Sequence, residues 1–156
     1  MTSKFNNHKI TTEEGVFDSR LEYARWKYLK EAQERGQIRA LKRQVEYLLI
    51  PKQTRPEMVR LKTKWKMVER IVERPCCYVA DFAYQKRMDI YGFTDAECKE
   101  YGLVASGWVD VVEDTKGEGR RGRFSTARPD FKIKKKLMLY FLGIRVRIVT
   151  KSDELI

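Results

Sequence analysis

Hydrophobic and polar positions change their spacing along the chain, and each spacing predicts an element. Apolar residues recur at helical spacing over residues 21–32, which predicts a helix that begins near Ser19 and ends at Gly36. Apolar and polar residues then alternate over residues 41–49, a pattern typical of a half-buried strand. The first third of the chain therefore predicts a helix followed by a strand.

The patterns that follow predict further strands and one more long helix. Residues 52–66 are basic and weakly patterned, which indicates a loop or hairpin, and the pattern of residues 68–84 predicts extended structure interrupted at Pro75. Residues 108–116 predict a strand, residues 130–142 an amphipathic helix, and residues 144–149 a final strand. The helix is expected to turn four apolar residues inward: Phe131, Met138, Phe141 and Leu142. This order predicts an α/β protein with a mixed central β-sheet flanked by helices.

Length and composition predict one domain. Residues 1–16 are polar and indicate a flexible N-terminal arm, residues 17–151 form the domain, and residues 152–156 form a tail. The mean hydropathy is −0.59, which is typical of a soluble protein. No apolar run approaches the roughly 20 residues needed to cross a membrane. There is no apolar signal-peptide core either, so we expect a cytoplasmic protein with no membrane partner.

Cysteine and histidine usage argues against a zinc site. The three cysteines, Cys76, Cys77 and Cys98, have no CxxC spacing, so we expect reduced thiols. The single histidine, His8, lies in the predicted arm. Catalysis by histidine is therefore not expected.

Positive charge is concentrated near the C-terminal end. The chain has a net charge of +11, and residues 115–151 carry twelve Lys and Arg against only Glu118 and Asp130. A basic block of this kind is typical of a protein that binds a polyanion, because neutralised phosphates release condensed counterions. A basic face that is merely solvated would give the same charge pattern.

Two predicted strands carry ionisable groups where a buried strand normally has none. Asp81 follows Tyr78-Val79-Ala80, and Asp114 and Lys116 follow Val111-Val112. Side chains alternate along a strand, so Asp114 and Lys116 share one face and Glu113 points to the other. If the two strands are neighbours, two carboxylates and a lysine converge, which suits a hard divalent cation and an activated water.

This arrangement of Asp81 with Asp114-Thr115-Lys116 resembles the PD-(D/E)XK nuclease motif. Residues 17–149 resemble a phage and prophage family of small endonucleases related to Holliday-junction resolvases, although Ala80 stands where the motif has proline. The resemblance implies a restriction-endonuclease-like core and Mg²⁺- or Mn²⁺-dependent hydrolysis of DNA, leaving a 5′-phosphate and a 3′-hydroxyl. If the chain is phage-encoded, its compartment is the host cytoplasm.

The resemblance also assigns roles to residues. Asp81 and Asp114 would be metal ligands, Glu22 an additional ligand, and Lys116 the group that orients the attacking water. A separate set is expected to contact DNA: Gln44, Arg120, Arg121, Arg123, Lys132, Lys134 and Lys136. A resolvase must cut two strands, which favours a symmetric homodimer. Resolvases, nicking enzymes and general endonucleases share this core, so branched DNA is one of several substrates that the resemblance allows.

Several of these residues also fit structural roles. Ser19 and Glu22 fit a capping box, which gives Glu22 a place at the helix start, and Gln44 fits an ordinary exposed glutamine. Asp114 and Lys116 would also suit a structural ion pair in a non-catalytic nucleic-acid-binding protein of phage replication or packaging with a nuclease-like fold. Residues 86–108, which include a second capping box at residues 94–97, fit a substrate-specific insertion.

Overall fold

A computed structural model describes residues 9–87, 108–117 and 128–153. The described elements are short and long strands with two long helices between them. In chain order they are β1 (Ile10–Thr12), β2 (Gly15–Phe17), α1 (Arg20–Glu34), β3 (Ile38–Ile50), β4 (Gln53–Arg60), β5 (Trp65–Glu73), β6 (Cys76–Arg87), β7 (Trp108–Thr115), α2 (Pro129–Leu142) and β8 (Arg147–Val149), followed by a short 3-10 helix (Lys151–Asp153).

The central sheet has four strands in the order β3-β6-β7-β8. β3 and β6 are antiparallel, as are β6 and β7, whereas β7 and β8 are parallel. Parallel neighbours need a crossover connection, and α2 lies between these two strands in the chain. The predicted α/β protein with a mixed sheet is confirmed.

The two helices cover opposite faces of this sheet. Val111 of β7 packs in one buried cluster with Leu29 of α1, and Val112 packs in another with Met138 of α2. Adjacent residues of a strand point to opposite faces. The described chain is therefore layered as helix, sheet and helix, with apolar side chains filling both interfaces.

Local signals explain where α1 begins and ends. Ser19 is extended and its side chain accepts the backbone N–H of Glu22, which satisfies one of the unpaired donors at the start of a helix. Gly36 has a φ of +71°, a left-handed conformation that glycine adopts without strain. The predicted start and end of this helix are confirmed.

The prediction for the inward face of α2 is right only in part. Met138 is fully buried and Phe131 packs against the same cluster, but Phe141 and Leu142 are exposed. α2 turns only a narrow stripe toward the sheet, which includes Leu137, and the last two apolar residues lie outside it. The amphipathic pattern therefore overstated the width of the buried face.

The N-terminal arm prediction is wrong for residues 10–16, which form an ordered β-hairpin with Phe17. Arg43 of β3 holds this hairpin by donating to the backbone carbonyls of Glu14 at 3.1 Å and Val16 at 2.9 Å. Phe17 closes the hairpin as a fully buried side chain. Residues 1–8 lie outside the described part of the chain.

A second hairpin, β4–β5, forms its own two-stranded sheet, as one of the two alternatives for residues 52–66 predicted. Cys76 and Cys77 are free thiols. Most of the predicted insertion, with Cys98 and the capping box at residues 94–97, lies outside the described residues, as do residues 154–156. Neither described helix combines the length and apolar character needed to cross a membrane.

Candidate functional site

Strands β6 and β7 stop pairing at one point of the sheet, and Asp81 lies there. Their ladder ends at the pair Phe82 and Glu113. Beyond this pair, Thr115 donates its backbone N–H to Asp81 Oδ2 at 2.7 Å, and its hydroxyl donates to the same oxygen at 2.6 Å. A side-chain carboxylate thus takes the place of a backbone carbonyl as the acceptor, and Asp81 is fixed between the two strands.

Asp114 of β7 is only 3% exposed and accepts two hydrogen bonds. Tyr78 donates its hydroxyl to Asp114 Oδ2 at 2.6 Å, and Lys116 Nζ donates to Asp114 Oδ1 at 2.5 Å. The contact between Asp114 and Lys116 agrees with their predicted position on one face of the strand. The Lys116 ammonium also lies 4.5 Å from the centre of the Phe131 ring, so α2 covers one side of it.

The carboxyl groups of Asp81 and Asp114 interact with each other. Burial and the charge of Asp114 raise the pKa of Asp81 to about 6, although the hydrogen bonds from Thr115 act in the opposite direction. Burial and the charge of Asp114 also raise the pKa of the Tyr78 hydroxyl, which therefore stays protonated as a donor. Two carboxylates held in this way are stabilised by a shared proton or by a cation.

Glu22 is 2% exposed and lies at the start of α1. Its Oε2 accepts the backbone N–H of Asp18 at 2.7 Å, whereas the capping box predicted a bond to the N–H of Ser19. Its Oε1 accepts from Gln44 Nε2 at 3.0 Å. Burial raises the pKa of Glu22, and the charge of Asp81 adds to this effect. Glu22 therefore has a structural bond at the helix start and an electrostatic link to Asp81.

Gln44 has an unusual backbone for a strand residue, with a φ of +49°. Left-handed geometry in a residue other than glycine costs free energy and occurs where surrounding contacts enforce it. The contact here is the hydrogen bond to Glu22, and Arg43 Nη2 lies 3.9 Å from the same Glu22 oxygen. Gln44 is exposed, as the structural alternative predicted, but it bonds a buried carboxylate; its contact with DNA stays a prediction.

The opposite face of β7 carries a buried ion pair. Glu113 is fully buried and accepts from Arg25 Nε at 3.0 Å, from Arg25 Nη2 at 2.8 Å and from the Tyr84 hydroxyl at 2.6 Å. Burial lowers the pKa of Arg25, but its hydrogen bonds to Glu113 and the charge of Glu113 outweigh this and raise it overall. Glu113 therefore attaches α1 to the sheet on the face away from Asp114.

The described basic residues that were predicted to contact DNA all lie on α2 and differ in exposure. Lys132 and Lys136 are exposed on α2, whereas Lys134 is half-buried and close enough to Cys77 to influence the pKa of that thiol. The predicted arginines of the preceding loop, Arg120, Arg121 and Arg123, lie outside the described residues. Lys136 is therefore more accessible to a ligand in solution than Lys134.

The donor atoms at Asp81 and Asp114 suit a hard divalent cation. Magnesium prefers carboxylate oxygens and needs only one or two of them, since it keeps several waters. Each carboxylate oxygen has two lone pairs, so Asp114 can accept from Tyr78 and Lys116 and still offer a lone pair to a cation. Within residues 9–87, 108–117 and 128–153, no group of three or more His, Cys, Asp or Glu side chains is arranged to hold a metal ion. A metal site here would use the carboxylates of Asp81 and Asp114 as direct ligands, and Glu22 would not contact the metal directly.

Sequence reasoning missed several residues around these carboxylates. Tyr78 and Thr115 bond Asp114 and Asp81 directly, and Arg43 lies beside Glu22. Tyr78 and Thr115 stand in the same short segments as the aspartates, which is a signal that they share their surroundings. Arg43 gives no comparable signal, because its partners are mostly backbone carbonyls.

No curated protein and no solved structure matches the chain. Residues 2–100 match a family described as "Protein of unknown function (DUF1064)". The matched segment is more than half of the chain; it includes Glu22, Gln44 and Asp81 and ends before β7. The chain therefore belongs to this DUF1064 family.

Proposed function

We propose that this protein is a Mg²⁺- or Mn²⁺-dependent endonuclease that hydrolyses phosphodiester bonds in DNA. The observation that carries the proposal is the meeting of Asp81, Asp114 and Lys116 where β6 and β7 stop pairing. Asp114 is buried and Asp81 is half-buried, and placing two carboxylates side by side in such surroundings costs free energy. A functional role gives a reason to retain the second carboxylate.

The order of the elements supports a restriction-endonuclease-like core as part of this proposal. One helix precedes three antiparallel strands, β3, β6 and β7, and a second helix leads to β8, which is parallel to β7. The two carboxylates come from the two middle strands of the sheet. This agrees with the order of motifs on which the resemblance to PD-(D/E)XK nucleases rests.

Asp81 and Asp114 are the residues that would hold the cation. When bound, the ion would neutralise charge on the phosphate and make a hydroxide nucleophile available near neutral pH. Thr115 fixes Asp81 through two hydrogen bonds, and Tyr78 fixes Asp114 through one. The ligands are therefore oriented by neighbouring residues before any substrate arrives.

Lys116 is the cationic group of the proposed site. Its ammonium donates to Asp114 Oδ1 and lies against the ring of Phe131. With substrate bound, it would position the attacking water and stabilise the negative charge that develops on the phosphate. Glu22 acts at longer range, through its charge interaction with Asp81.

Positive charge supports DNA as the substrate. The net charge of +11 favours a polyanion, and the lysines of α2 lie on the helix that packs over the Asp114 side of the sheet. A homodimer that cuts branched DNA at two symmetric positions is included in the proposal on the ground of the resemblance to resolvases.

A non-catalytic DNA-binding protein is the second candidate, and two observations favour it. Lys116 and Asp114 form a close ion pair, and the described residues contain no triad of ligands. In this alternative the pair stabilises the fold, and Asp81 keeps its raised pKa without any chemical role. Both candidates predict DNA binding, so cleavage separates them.

The test is nicking of supercoiled plasmid with Mg²⁺, with Mn²⁺ and with EDTA. We expect cleavage only with the metals, and a loss of about 100-fold or more in Asp81→Asn and in Asp114→Asn, because each removes a charged ligand. DNA binding in EDTA and the circular dichroism spectrum should stay close to those of the wild type. Activity within about threefold of the wild type in either variant would reject the site.

Asp110→Asn is the matched control. Asp110 lies on the same strand as Asp114, is exposed, and bonds Gln85 at 2.9 Å. The substitution makes the same chemical change elsewhere on β7, so it should leave nicking unchanged. A comparable loss in this control would show that the assay reports the charge of β7 and not a site.

A further inference from the structure

The β4–β5 hairpin is a two-stranded ribbon that stands apart from the central sheet. Its strands pair only with each other among the described residues, from Gln53 opposite Glu73 to Arg60 opposite Trp65. Nearly every residue of the ribbon is exposed. An isolated hairpin gains little stability on its own, so folding alone does not explain an arm of this length.

The end of the ribbon is strongly basic. Four of the seven residues 60–66 are Lys or Arg, all exposed, and none is an acid. No acidic side chain of the described residues forms an ion pair with any of them, whereas Arg55 and Arg70 nearer the base both pair with Glu57. The cations of the turn segment are Arg60, Lys62, Lys64 and Lys66.

The pairing of the strands places these cations on both sides of the ribbon. Arg60 is opposite Trp65 and therefore on one face, and Lys66 is opposite Val59 on the other face. Lys62 and Lys64 lie in the turn, which Leu61 closes by donating its N–H to the Lys64 carbonyl at 2.8 Å. A narrow arm with cations on both faces and at its end is complementary to a groove with phosphates on both walls.

We infer that the β4–β5 ribbon is a DNA-binding arm whose basic end, residues 60–66, enters a groove of the substrate. The major groove of B-form DNA is about 12 Å wide and admits a two-stranded β-ribbon. This inference rests on the proposed function, because it takes DNA as the substrate. It adds a second binding element, separate from the lysines of α2, which accounts for basic residues that the candidate site does not use.

One face of the ribbon carries several exposed apolar side chains beside Arg60 and Glu69. Met58, Trp65, Met67 and Ile71 share this face, and Trp65 is 60% exposed. A second copy of the chain is the competing occupant of such a face. The charge of the ribbon favours DNA, because residues 53–73 carry six Lys and Arg against three Glu; two ribbons packed together would both be positively charged, whereas phosphates neutralise these cations.

The experiment measures the affinity of the full chain for a short duplex and for a four-way junction in EDTA over a range of salt concentrations. Lys62→Ala combined with Lys64→Ala removes two cations of the turn without touching a strand pair. We expect both DNAs to bind about tenfold more weakly, and the slope of log affinity against log salt to fall by nearly two phosphate contacts. The control is Lys27→Ala combined with Arg35→Ala. Lys27 is an exposed cation within α1, and Arg35 is an exposed cation at the C-terminal end of that helix.

The outcomes separate this inference from the proposed function. Wild-type affinity and slope in the ribbon variant, or an equal loss in the control, would overturn the ribbon as a DNA-binding arm even if the protein cleaves DNA. A selective loss in a protein that never cleaves would support the arm and reject the endonuclease.

Sedimentation of the wild type and of Trp65→Ala tests whether a second copy of the chain occupies the ribbon instead of DNA. A dimer that Trp65→Ala dissociates, with DNA affinity retained, would assign the ribbon to self-association and overturn the inference.

Discussion

Asp81 Oδ2 accepts two hydrogen bonds from one residue, Thr115, through its backbone N–H at 2.7 Å and its hydroxyl at 2.6 Å. The two bonds join β6 to β7 just beyond the last pair of their ladder. Both fall on the same oxygen of the carboxylate, so the other oxygen, Oδ1, is left to a cation or to the neighbouring carboxyl group of Asp114. Thr115 thereby decides which oxygen of Asp81 is presented to a ligand.

The first prediction concerns the hydroxyl of Thr115. Thr115→Val keeps the backbone bond and the shape but removes one donor to Asp81, so the carboxylate is held less firmly. We expect nicking at limiting Mg²⁺ to fall about tenfold, as for other residues that orient metal ligands, while Thr115→Ser stays near the wild type. The measurement is the nicking rate against Mg²⁺ concentration. Equal rates for the Val and Ser variants would show that the hydroxyl of Thr115 does not position Asp81.

The second prediction concerns the stability of the metal-free protein. Burial and the charge of Asp114 raise the pKa of Asp81 to about 6, from the value of about 3.9 in an unfolded chain. Between these values the folded state holds a proton that the unfolded state has lost. The stability contribution is therefore present below pH 4 and is lost as the pH rises through about 6. Because Asn carries no charge, Asp81→Asn should escape this loss.

Urea unfolding in EDTA at pH 4.5 and at pH 7 measures the effect. We expect the free energy of unfolding of Asp81→Asn, relative to that of the wild type, to be about 2 kcal/mol higher at pH 7 than at pH 4.5, so that the variant gains relative stability as the pH rises. The pKa of Glu22 is also raised, but that residue is present in both proteins, so its direct contribution largely cancels in the comparison. The same difference at both pH values would show that Asp81 does not titrate in this range.

The sequence predicted the parts of the site that depend on local periodicity. Alternation along β7 placed Asp114 with Lys116 on one face and Glu113 on the other. Two apolar segments with carboxylates predicted that Asp81 and Asp114 would meet if their strands were neighbours. Alternation within a strand is a property of the backbone, so one chain is enough to predict it. The register between β6 and β7, which decides that Thr115 bonds Asp81, depends on both strands together and could not be predicted from either alone.

Contacts between side chains and distant backbone groups escaped prediction for a different reason. The β1–β2 hairpin has a polar sequence and was predicted to be flexible, yet Arg43 holds it through the carbonyls of Glu14 and Val16. A carbonyl is present at every residue, so its use as an acceptor leaves no pattern in the sequence. The bond from Asp18 to Glu22, in place of the expected bond from Ser19, is a second case of this kind.

The third prediction uses Glu113 to test the register of β7. Glu113 pairs through two bonds with Arg25, and both side chains are buried. Glu113→Gln removes the charge and leaves the Arg25 charge buried without full compensation, so we expect unfolding to become easier by about 3 kcal/mol. The folded fraction should still nick DNA far better than Asp114→Asn. Urea unfolding and nicking at low temperature measure the two effects. The reverse order of activities would show that the strand faces are assigned one residue out of register.

The last prediction concerns the lysines of α2. Lys136 is exposed and Lys134 is half-buried on the helix that packs over the Asp114 side of the sheet. Changing both to alanine should weaken binding to unrelated DNA sequences alike and lower the salt slope by roughly two phosphate contacts, because lysines that contact phosphates carry no sequence information. Filter binding in EDTA at several salt concentrations measures this slope.

Asp81→Asn is the control, since a metal ligand contacts no phosphate in EDTA and should leave the slope unchanged. If the lysine variant kept its affinity and slope and lost only turnover, α2 would belong to the chemical site, and the basic end of the β4–β5 ribbon would be left as the binding element that the described residues offer.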